Sequence, residues 1–313
     1  MIVILNRGAG RHQDETQAQI KKFFQKRGIA ARLFVARHGG EIARFAEEAA
    51  SSDAEVIVAA GGDGTIDGIA TVLADTGKIL GVLPLGTFNL FANRLNIPLD
   101  LEAAVHTAVN GSIAEINVGE VNGQVFLSRS SVGLYPLALR QREKMYRRFG
   151  RSRLIALLSG ATALMRWGNI MTIRLTTEEA GHLFRSRFVF VCNNPAELEY
   201  FNLPGRQCID ADKFAVYVPR PLSPPGIVRL GFRMLGRRAQ ESRDFETFCA
   251  RDVSFEIKPS RVPVSLDGEV EIMQSPLHYR LRTDALRMRV PAAPRRGDPN
   301  DLPGPKVLGG RIC

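Results

Sequence analysis

A glycine-rich segment that also carries one acid and one hydroxyl, Gly61-Gly62-Asp63-Gly64-Thr65, is the strongest candidate for chemistry in this sequence. It directly follows the apolar run at residues 56–60 and opens a stretch with helical spacing. Glycine lets the backbone come close to a ligand, and the amide groups at a helix N-terminus bind phosphate oxygens. We therefore predict a phosphate-binding loop, with a tight strand-to-helix turn that binds nothing as the alternative.

Neither of two familiar phosphate-binding motifs fits this segment. The chain has no Gly-x-x-x-x-Gly-Lys-Ser/Thr pattern, and a Gly-x-Gly-x-x-Gly pattern that begins at Gly62 would need glycine where Asp67 stands. The segment is therefore neither a standard P-loop nor a dinucleotide fingerprint.

Two more glycine-bearing turns follow neighbouring strands, one over residues 6–11 and one over residues 84–89. All three turns come at the carboxyl ends of predicted parallel strands, where open α/β sheets bind ligands. The three turns together favour a ligand site much more strongly than any one of them does. We expect the site to be completed by Asn6, Gly86, Thr87 and Asn89.

The elements that must position these turns alternate along the first hundred residues. Short apolar runs at residues 2–5, 32–35, 56–60 and 80–83 are separated by stretches with helical spacing. The third run is continuously apolar, as a strand covered on both faces should be. This rhythm predicts an α/β domain with a parallel sheet over residues 1–115.

After about residue 110 the pattern changes to short strand-like runs with turn residues between them. They predict a second domain over residues 116–291, a mainly antiparallel β-sandwich with helical interruptions at 140–166 and 225–235. Whether the last run, at 286–290, packs on the first domain stays open. Residues 292–313, rich in proline and glycine, are expected to form a disordered tail. A length of 313 residues suits two domains.

Late in the chain an Asp-Gly pair, Asp267-Gly268, stands between strand-like runs at residues 262–266 and 270–272 and is followed by Glu269. Taken by itself, an Asp-Gly pair in this setting predicts a plain two-residue hairpin turn.

Through the three glycine-bearing turns and this late segment, the sequence resembles the diacylglycerol-kinase-like lipid kinases, the group that includes bacterial lipid kinases and sphingosine kinases. The resemblance extends to about Pro291 and rests on the order and spacing of four segments, at residues 6–11, 61–65, 84–89 and 267–269. It implies an NAD kinase/diacylglycerol kinase-like α/β fold, with ATP in a cleft between this domain and the β-sandwich. It also implies that the phosphates rest on residues 61–65 and that magnesium arrives with ATP.

The resemblance implies that transfer chemistry depends on the late hairpin. Glu269 would be the general base that takes the proton of the lipid hydroxyl, and Asp267 would belong to the same catalytic motif. An alcohol is a poor nucleophile, so a carboxylate within hydrogen-bond reach helps it to attack phosphorus. The rest of catalysis is mostly positioning and neutralisation of the triphosphate charge.

This chain departs from the family pattern at several positions. Leu90 stands where the family often has aspartate, and Ala211 takes the metal-binding position of an Asp-Asp-Gly motif, with Lys213 nearby. We therefore predict that the structural magnesium site of the family is absent. Ala36, where the family often has threonine, predicts the loss of one nucleotide contact.

A formal net charge of +10 favours anionic partners such as nucleotides, nucleic acids or acidic membranes. Seven cations lie between residues 140 and 153, among them Arg147, Arg148 and Arg151, and an apolar stretch follows them. For a lipid kinase this segment predicts docking on acidic phospholipids, with a solvated helix start as the alternative. No recognition motif accompanies the charge, so we expect no nucleic-acid partner.

The cysteines, Cys192, Cys208, Cys249 and Cys313, lie far apart without metal-ligand spacing, which predicts cytosolic thiols. We see neither a secretory signal nor an apolar stretch long enough to span a bilayer. These observations predict a cytoplasmic protein that associates peripherally with membranes. Whether the protein forms a homodimer stays open.

The sequence thus predicts an ATP-dependent lipid kinase that transfers the γ-phosphoryl group to a lipid hydroxyl, most simply that of diacylglycerol, to give phosphatidic acid for phospholipid biosynthesis. Two alternatives stay open. NAD kinases look similar around Gly-Gly-Asp-Gly, but the segments at 84–89 and 267–269 favour the lipid kinase. A kinase-like protein that binds nucleotide or lipid without turnover is supported by Leu90, Ala211 and Ala36.

Overall fold

The computed structural model describes residues 1–7, 13–87, 89–133, 136, 170–178, 180–201, 203–220, 245–292, 307–308 and 311–312. The chain divides into two compact units. One comprises Met1–Val118 with Arg282–Cys313, and the other comprises Gly119–Leu281. The sequence placed the division at residue 115 and left the return of the last strand open. In the structure, residues from Arg282 onward belong to the first unit.

The first unit has the alternation of strands and helices that the apolar pattern predicted. Its elements are β1 (Ile2–Asn6), α1 (Gln13–Lys26), β2 (Arg32–Ala36), α2 (Gly39–Ala50), β3 (Val56–Gly61), α3 (Asp63–Leu73), β4 (Ile79–Pro84), α4 (Leu90–Arg94), α5 (Leu101–Asn110) and the first part of β5 (Ser112–Val121). Strands β2, β1, β3 and β4 lie side by side in that order and are all parallel. Every residue of β3 and β4 is buried, as expected for strands covered on both faces.

The later half of β16 (Leu277–Val290) extends the parallel sheet of the first unit. It pairs with β4 in parallel, with Arg287 opposite Ile79 and Met288 opposite Leu80. Two short strands, β17 (Val307–Leu308) and β18 (Arg311–Ile312), lie in the stretch predicted to be a disordered tail, and Arg311 pairs with Glu115 of β5. The disorder expected of residues 292–313 stays a prediction.

The second unit is built on antiparallel strands, as predicted. Its elements after β5 are β6 (Gln124–Phe126), β7 (Arg129–Gly133), β8 (Met171–Thr177), β9 (Gly181–Ser186), β10 (Phe188–Cys192), α6 (Pro195–Phe201), α7 (Arg206–Asp210), β11 (Phe214–Pro219), β12 (Phe245–Ala250), β13 (Asp252–Lys258), β14 (Arg261–Leu266) and β15 (Glu269–Gln274). One sheet has the order β12-β11-β10-β7-β14-β15. A second group runs β9-β8-β13 and continues to the first part of β16.

An aromatic cluster forms the centre of the core between these two groups of strands. Phe214 of β11 meets Phe126 with ring centroids 5.9 Å apart, and Tyr279 of β16 meets Phe255 of β13 at 5.3 Å. Along β8 and β13 buried residues alternate with more exposed ones, the period of two expected of strands with one solvated face. This layering is that of a β-sandwich.

One prediction about the cysteines is wrong. Cys208 and Cys249 form a disulfide that spans a sequence separation of 41, whereas Cys192 is a buried thiol whose Sγ donates to the Asn194 carbonyl oxygen at 3.3 Å. The antiparallel pairing of β11 with β12 places Cys249 opposite Ala215, next to the helix α7 that precedes β11. Spacing along the chain does not reveal this proximity, because it depends on strand pairing.

The membrane-docking residues Arg147, Arg148 and Arg151 and both predicted helical interruptions lie outside the described residues. Within the described ranges, no helix is long and apolar enough to cross a membrane.

Candidate functional site

The glycine-rich segment forms the link between β3 and α3, as the sequence predicted. Strand β3 ends at Gly61, Gly62 caps the helix, and the amides of Thr65 and Ile66 donate to the Gly62 carbonyl oxygen at 2.9 and 3.1 Å. A Cβ atom on Gly61 would stand 2.6 Å from the Thr65 side chain, so no larger residue fits there. At Gly64 a Cβ atom would meet nothing within 4 Å, and the residue is exposed. The side chain at position 64 therefore does not cover the surface at the N-terminus of α3.

The turn after β4 packs directly against this segment. The amide of Leu85 donates to the Gly61 carbonyl oxygen at 2.9 Å, and a Cβ atom on Gly86 would stand only 2.6 Å from the Gly62 Cα. Two glycine backbones thus touch where side chains would separate them. Asn89, in the left-handed region with φ of 48°, closes the turn: its side chain accepts from the Gly86 amide at 2.9 Å and donates to the Gly86 carbonyl at 3.0 Å.

Two polar side chains connect the three predicted turns. The Asn6 Nδ2 donates to the Thr65 Oγ1 at 2.8 Å, which joins the turn after β1 to the start of α3. The Asp63 Oδ1 accepts the Phe91 amide at 3.1 Å, which joins α3 to α4. Asp63 and Thr65 therefore brace the loops against each other, and Thr65 is buried.

These contacts bring together seven of the nine predicted nucleotide residues: Asn6, Gly61, Gly62, Asp63, Thr65, Gly86 and Asn89. Gly64 lies between Asp63 and Thr65 at the start of α3. Thr87 lies exposed in the turn after β4. Ala36 at the end of β2 accepts the Arg7 amide through its carbonyl oxygen at 2.7 Å, and its side chain is fully buried. The site offers backbone amides at the N-terminus of an 11-residue helix, an arrangement that favours phosphate oxygens.

In the second unit, Asp267 and Gly268 form the predicted hairpin between β14 and β15. Both have positive φ, 47° and 107°, which matches a type I′ turn, and Leu266 pairs with Glu269 across it. Glu269 is the first residue of β15 and is exposed to solvent. The hairpin thus presents a carboxylate at its tip.

Asp267 anchors this hairpin to the link between β6 and β7. Its carboxylate accepts the amides of Leu127, Ser128 and Arg129 at 2.6, 2.9 and 2.9 Å. Burial raises the pKa of Asp267 above its ordinary value, while the three amides and the Arg129 guanidinium act in the opposite direction. Both carboxylate oxygens are engaged within the protein. Asp267 therefore positions the hairpin, and the accessible carboxylate of the motif is that of Glu269.

The turn between α7 and β11 is where the family resemblance implies a structural magnesium. Ala211 brings no carboxylate, and Asp210 is paired with Arg206 at 2.9 Å. The Arg251 Nε donates to the Asp212 carbonyl oxygen at 3.0 Å, and this guanidinium lies 3.9 Å from the Asp212 carboxylate. A guanidinium there disfavours a neighbouring divalent cation, since like charges repel. Nor do the described residues contain any group of three or more metal-ligating side chains. The residues present do not fit the metal, and its absence stays a prediction.

Sequence reasoning did not identify a cluster of polar residues that lies behind the hairpin at Asp267-Gly268. The residues are Ser128, Arg129, Asn193, Asn194 and Glu197, from the β6–β7 link and the start of α6. No spacing rule connects residue 129 with residue 197, so only the fold brings them together.

Comparison with known proteins places these features in context. Residues 1–121 match the family model described as the diacylglycerol kinase catalytic domain. The protein named Probable lipid kinase YegS-like is 36% identical over 136 residues, both in Yersinia pestis (strain Pestoides F) and in Yersinia pseudotuberculosis (serotype O:1b, strain IP 31758). This match spans 42% of the chain and 45% of each relative, so it covers less than half of their length.

The solved structures extend the likeness to both units. A crystal structure of a diacylglycerol kinase from Bacillus anthracis str. Sterne aligns with a TM-score of 0.66, over 92% of this chain and 96% of that one. At 18% sequence identity this likeness shows the fold alone. It agrees with the predicted architecture, a parallel α/β domain joined to an antiparallel β domain.

Proposed function

We propose that this chain is an ATP-dependent lipid kinase, since residues 1–121 match the family model of the diacylglycerol kinase catalytic domain. It transfers the γ-phosphoryl group of ATP to a lipid hydroxyl, most simply that of diacylglycerol, and the product is then phosphatidic acid. The observation that carries the proposal is the contact of three glycine-bearing turns at the carboxyl ends of β1, β3 and β4. An open α/β sheet binds its ligand at this edge.

The nucleotide phosphates rest, in this proposal, on the backbone amides where α3 begins. The amides of Asp63 and Gly64 belong to the first turn, whose N–H groups have no carbonyl partner one turn earlier in the helix. Magnesium enters with ATP and neutralises part of the triphosphate charge. The close approach of Gly62 and Gly86 keeps side chains away from this surface.

Glu269 is the general base in this proposal. As the lipid oxygen forms its bond to the γ-phosphorus, the hydroxyl proton passes to the Glu269 carboxylate, and the bond from phosphorus to the bridging oxygen breaks to release ADP. Exposure of Glu269 supports this role, because a base must reach its substrate. Asp267 holds the hairpin in place through its three amide contacts.

The lipid hydroxyl lies at a membrane surface, so the enzyme has to approach an acidic bilayer. We assign this contact to the basic segment that contains Arg147, Arg148 and Arg151. Cations near an anionic surface contribute about 1 kcal/mol each. This assignment rests on the charge pattern of the sequence alone.

The deciding experiment incubates the protein with radiolabelled ATP, magnesium and a total lipid extract, and then identifies the labelled lipid. We expect one labelled phospholipid and its loss in Glu269→Gln, with ATP binding unchanged. Glu271→Gln is the matched control, because Glu271 lies two residues further along the same face of β15 and is also exposed. Equal activity of the two variants would remove Glu269 from the base role.

The same assay separates the alternatives. Label transferred to NAD and to no lipid would indicate an NAD kinase-like enzyme. ATP binding with no transfer to either acceptor would indicate a kinase-like binding protein without turnover.

A further inference from the structure

A buried ion pair lies directly behind the hairpin that carries Glu269. The Arg129 Nη1 donates to the Glu197 Oε1, and only 2% of the Glu197 side chain is exposed, compared with 21% for Arg129. Taking two charges out of water is costly, and an apolar pair of similar volume is often no less stable. A pair this deeply buried is therefore better explained by the geometry it imposes than by stability alone.

The contacts of Arg129 lead from this pair to the hairpin. Its amide donates to the Asp267 Oδ1 at 2.9 Å, and its carbonyl oxygen accepts the Asp267 amide at 2.9 Å. Arg129 and Asp267 thus exchange two hydrogen bonds. Glu269 follows Asp267 by two residues in a tight turn, so a displacement of Arg129 is transmitted to Glu269 through few rotatable bonds.

A second set of contacts connects the same link to the start of α6. The Ser128 carbonyl oxygen accepts the Asn193 amide at 2.9 Å, and the Asn194 Nδ2 donates to the Ser128 Oγ at 3.1 Å. Ser128 also donates its amide to the Asp267 Oδ1 at 2.9 Å. Residues 128 and 129 are therefore held between α6 on one side and Asp267 on the other.

Charge explains why Glu197 is needed in this arrangement. The Arg129 guanidinium has two carboxylates nearby, those of Glu197 and Asp267. Without Glu197, the cation would be drawn to Asp267 and would compete with the three amides for its oxygens. Glu197 on α6 gives the guanidinium a carboxylate of its own, while the Asp267 carboxylate accepts the three backbone amides.

We propose that Arg129 and Glu197 are positioning residues for the transfer step: their ion pair fixes the link between β6 and β7, which fixes Asp267 and, through the hairpin, Glu269. This inference rests on the proposed function, because it takes Glu269 as the base. A misplacement of about 1 Å can lower a rate about a hundredfold even when the chemical group itself is intact.

The test compares Glu197→Gln with Glu199→Gln in the full chain. Glu199 lies two residues further on the same helix and pairs with Arg206 at 2.8 Å, but 72% of its side chain is exposed. For Glu197→Gln we expect kcat to fall about tenfold or more, with the KM for ATP within about twofold of wild type. Hydrogen exchange of the amides at residues 127–129 should accelerate about tenfold or more. Glu199→Gln should change neither.

A second pair of variants covers the case in which Glu197→Gln fails to fold. Arg129→Lys keeps the charge and Arg129→Met removes it, so the lysine variant should retain more of kcat and more exchange protection. Equal losses in both would overturn the proposal. So would a Glu197→Gln variant that melts at a lower temperature but keeps wild-type kcat and wild-type exchange at residues 127–129.

Hydrogen exchange also distinguishes this inference from the proposed function. If the wild-type protein phosphorylates no lipid, the proposed function fails. The exchange rates of residues 127–129 and 266–269 in Glu197→Gln and Glu199→Gln then still support or overturn the coupling of the ion pair to the hairpin.

Discussion

The substitution Gly64→Ala separates ligand binding from stability at the phosphate-binding loop. Gly64 is the second residue of α3, it is exposed, and a Cβ atom there meets nothing within 4 Å. Alanine is favoured over glycine in a helix by about 0.5–1 kcal/mol. We therefore expect an unchanged or higher melting temperature, with a gain of up to about 2–4 °C.

ATP binding should respond in the opposite direction. If the phosphates rest on the amides at the start of α3, the new methyl group stands where the ligand approaches. Hydrogen bonds to charged groups contribute about 1.5–3 kcal/mol each. The loss of one such bond raises the Kd for ATP about tenfold to a hundredfold.

The assay measures the Kd of MgATP by calorimetry and the melting temperature by thermal unfolding for wild type, Gly64→Ala and Gly68→Ala. Gly68 is the matched control, because it lies one turn further along α3, is exposed and also has nothing within 4 Å of its Cβ position. Gly68→Ala should gain stability and keep its affinity for ATP. Wild-type affinity in Gly64→Ala, or an equal loss in Gly68→Ala, would show that the phosphates do not rest at the start of α3.

Two further predictions concern the second unit and the membrane. Reduction of the Cys208–Cys249 disulfide should lower stability by up to about 4 kcal/mol, because the bond closes a loop across a sequence separation of 41, whereas EDTA should leave the melting temperature unchanged. Thermal unfolding with dithiothreitol and with EDTA checks both statements, and a clear loss with EDTA alone would indicate a bound structural metal. The triple substitution of Arg147, Arg148 and Arg151 by alanine should weaken sedimentation with anionic vesicles and leave ATP binding intact. Docking by this segment is wrong if the variant binds these vesicles as wild type does, or if wild type binds neutral vesicles equally well.

The parts of the fold that the sequence predicted well depend on local chemistry. Apolar runs placed β1, β2, β3 and β4 to within one or two residues. For β3 and β4 the reason is burial on both faces, which leaves little choice of side chain, whereas β2, at the end of the strand order, keeps Arg32 exposed. The hairpin at Asp267-Gly268 was predicted for a similar reason, since only residues that tolerate positive φ suit its turn. The exposed edge strand β9 was missed, because its mixed side chains carry no alternation signal.

The sequence likewise predicted some features of the candidate site and not others. Residue types and spacing were enough to select the three turns, whose glycines are required by turns and close approaches within a few residues. The Asp-Gly-Glu segment by itself predicted only a hairpin turn, and the family resemblance gave Glu269 its expected role. Residue types and spacing were not enough to assign roles inside the site. Asp63 and Thr65 brace neighbouring loops, and Asp267 anchors a hairpin, and each of these roles depends on a partner far along the chain.

By itself, then, the sequence determined the order of strands and helices, the glycine-bearing turns at the carboxyl ends of the parallel strands, and the late hairpin. The tertiary structure alone decided three features. It returned β16 to the first sheet, joined Cys208 to Cys249, and placed Glu197 against Arg129. The physical reason is that the local sequence pattern indicates which face of a helix or strand is buried. Strand order and packing decide which distant residues that face contacts.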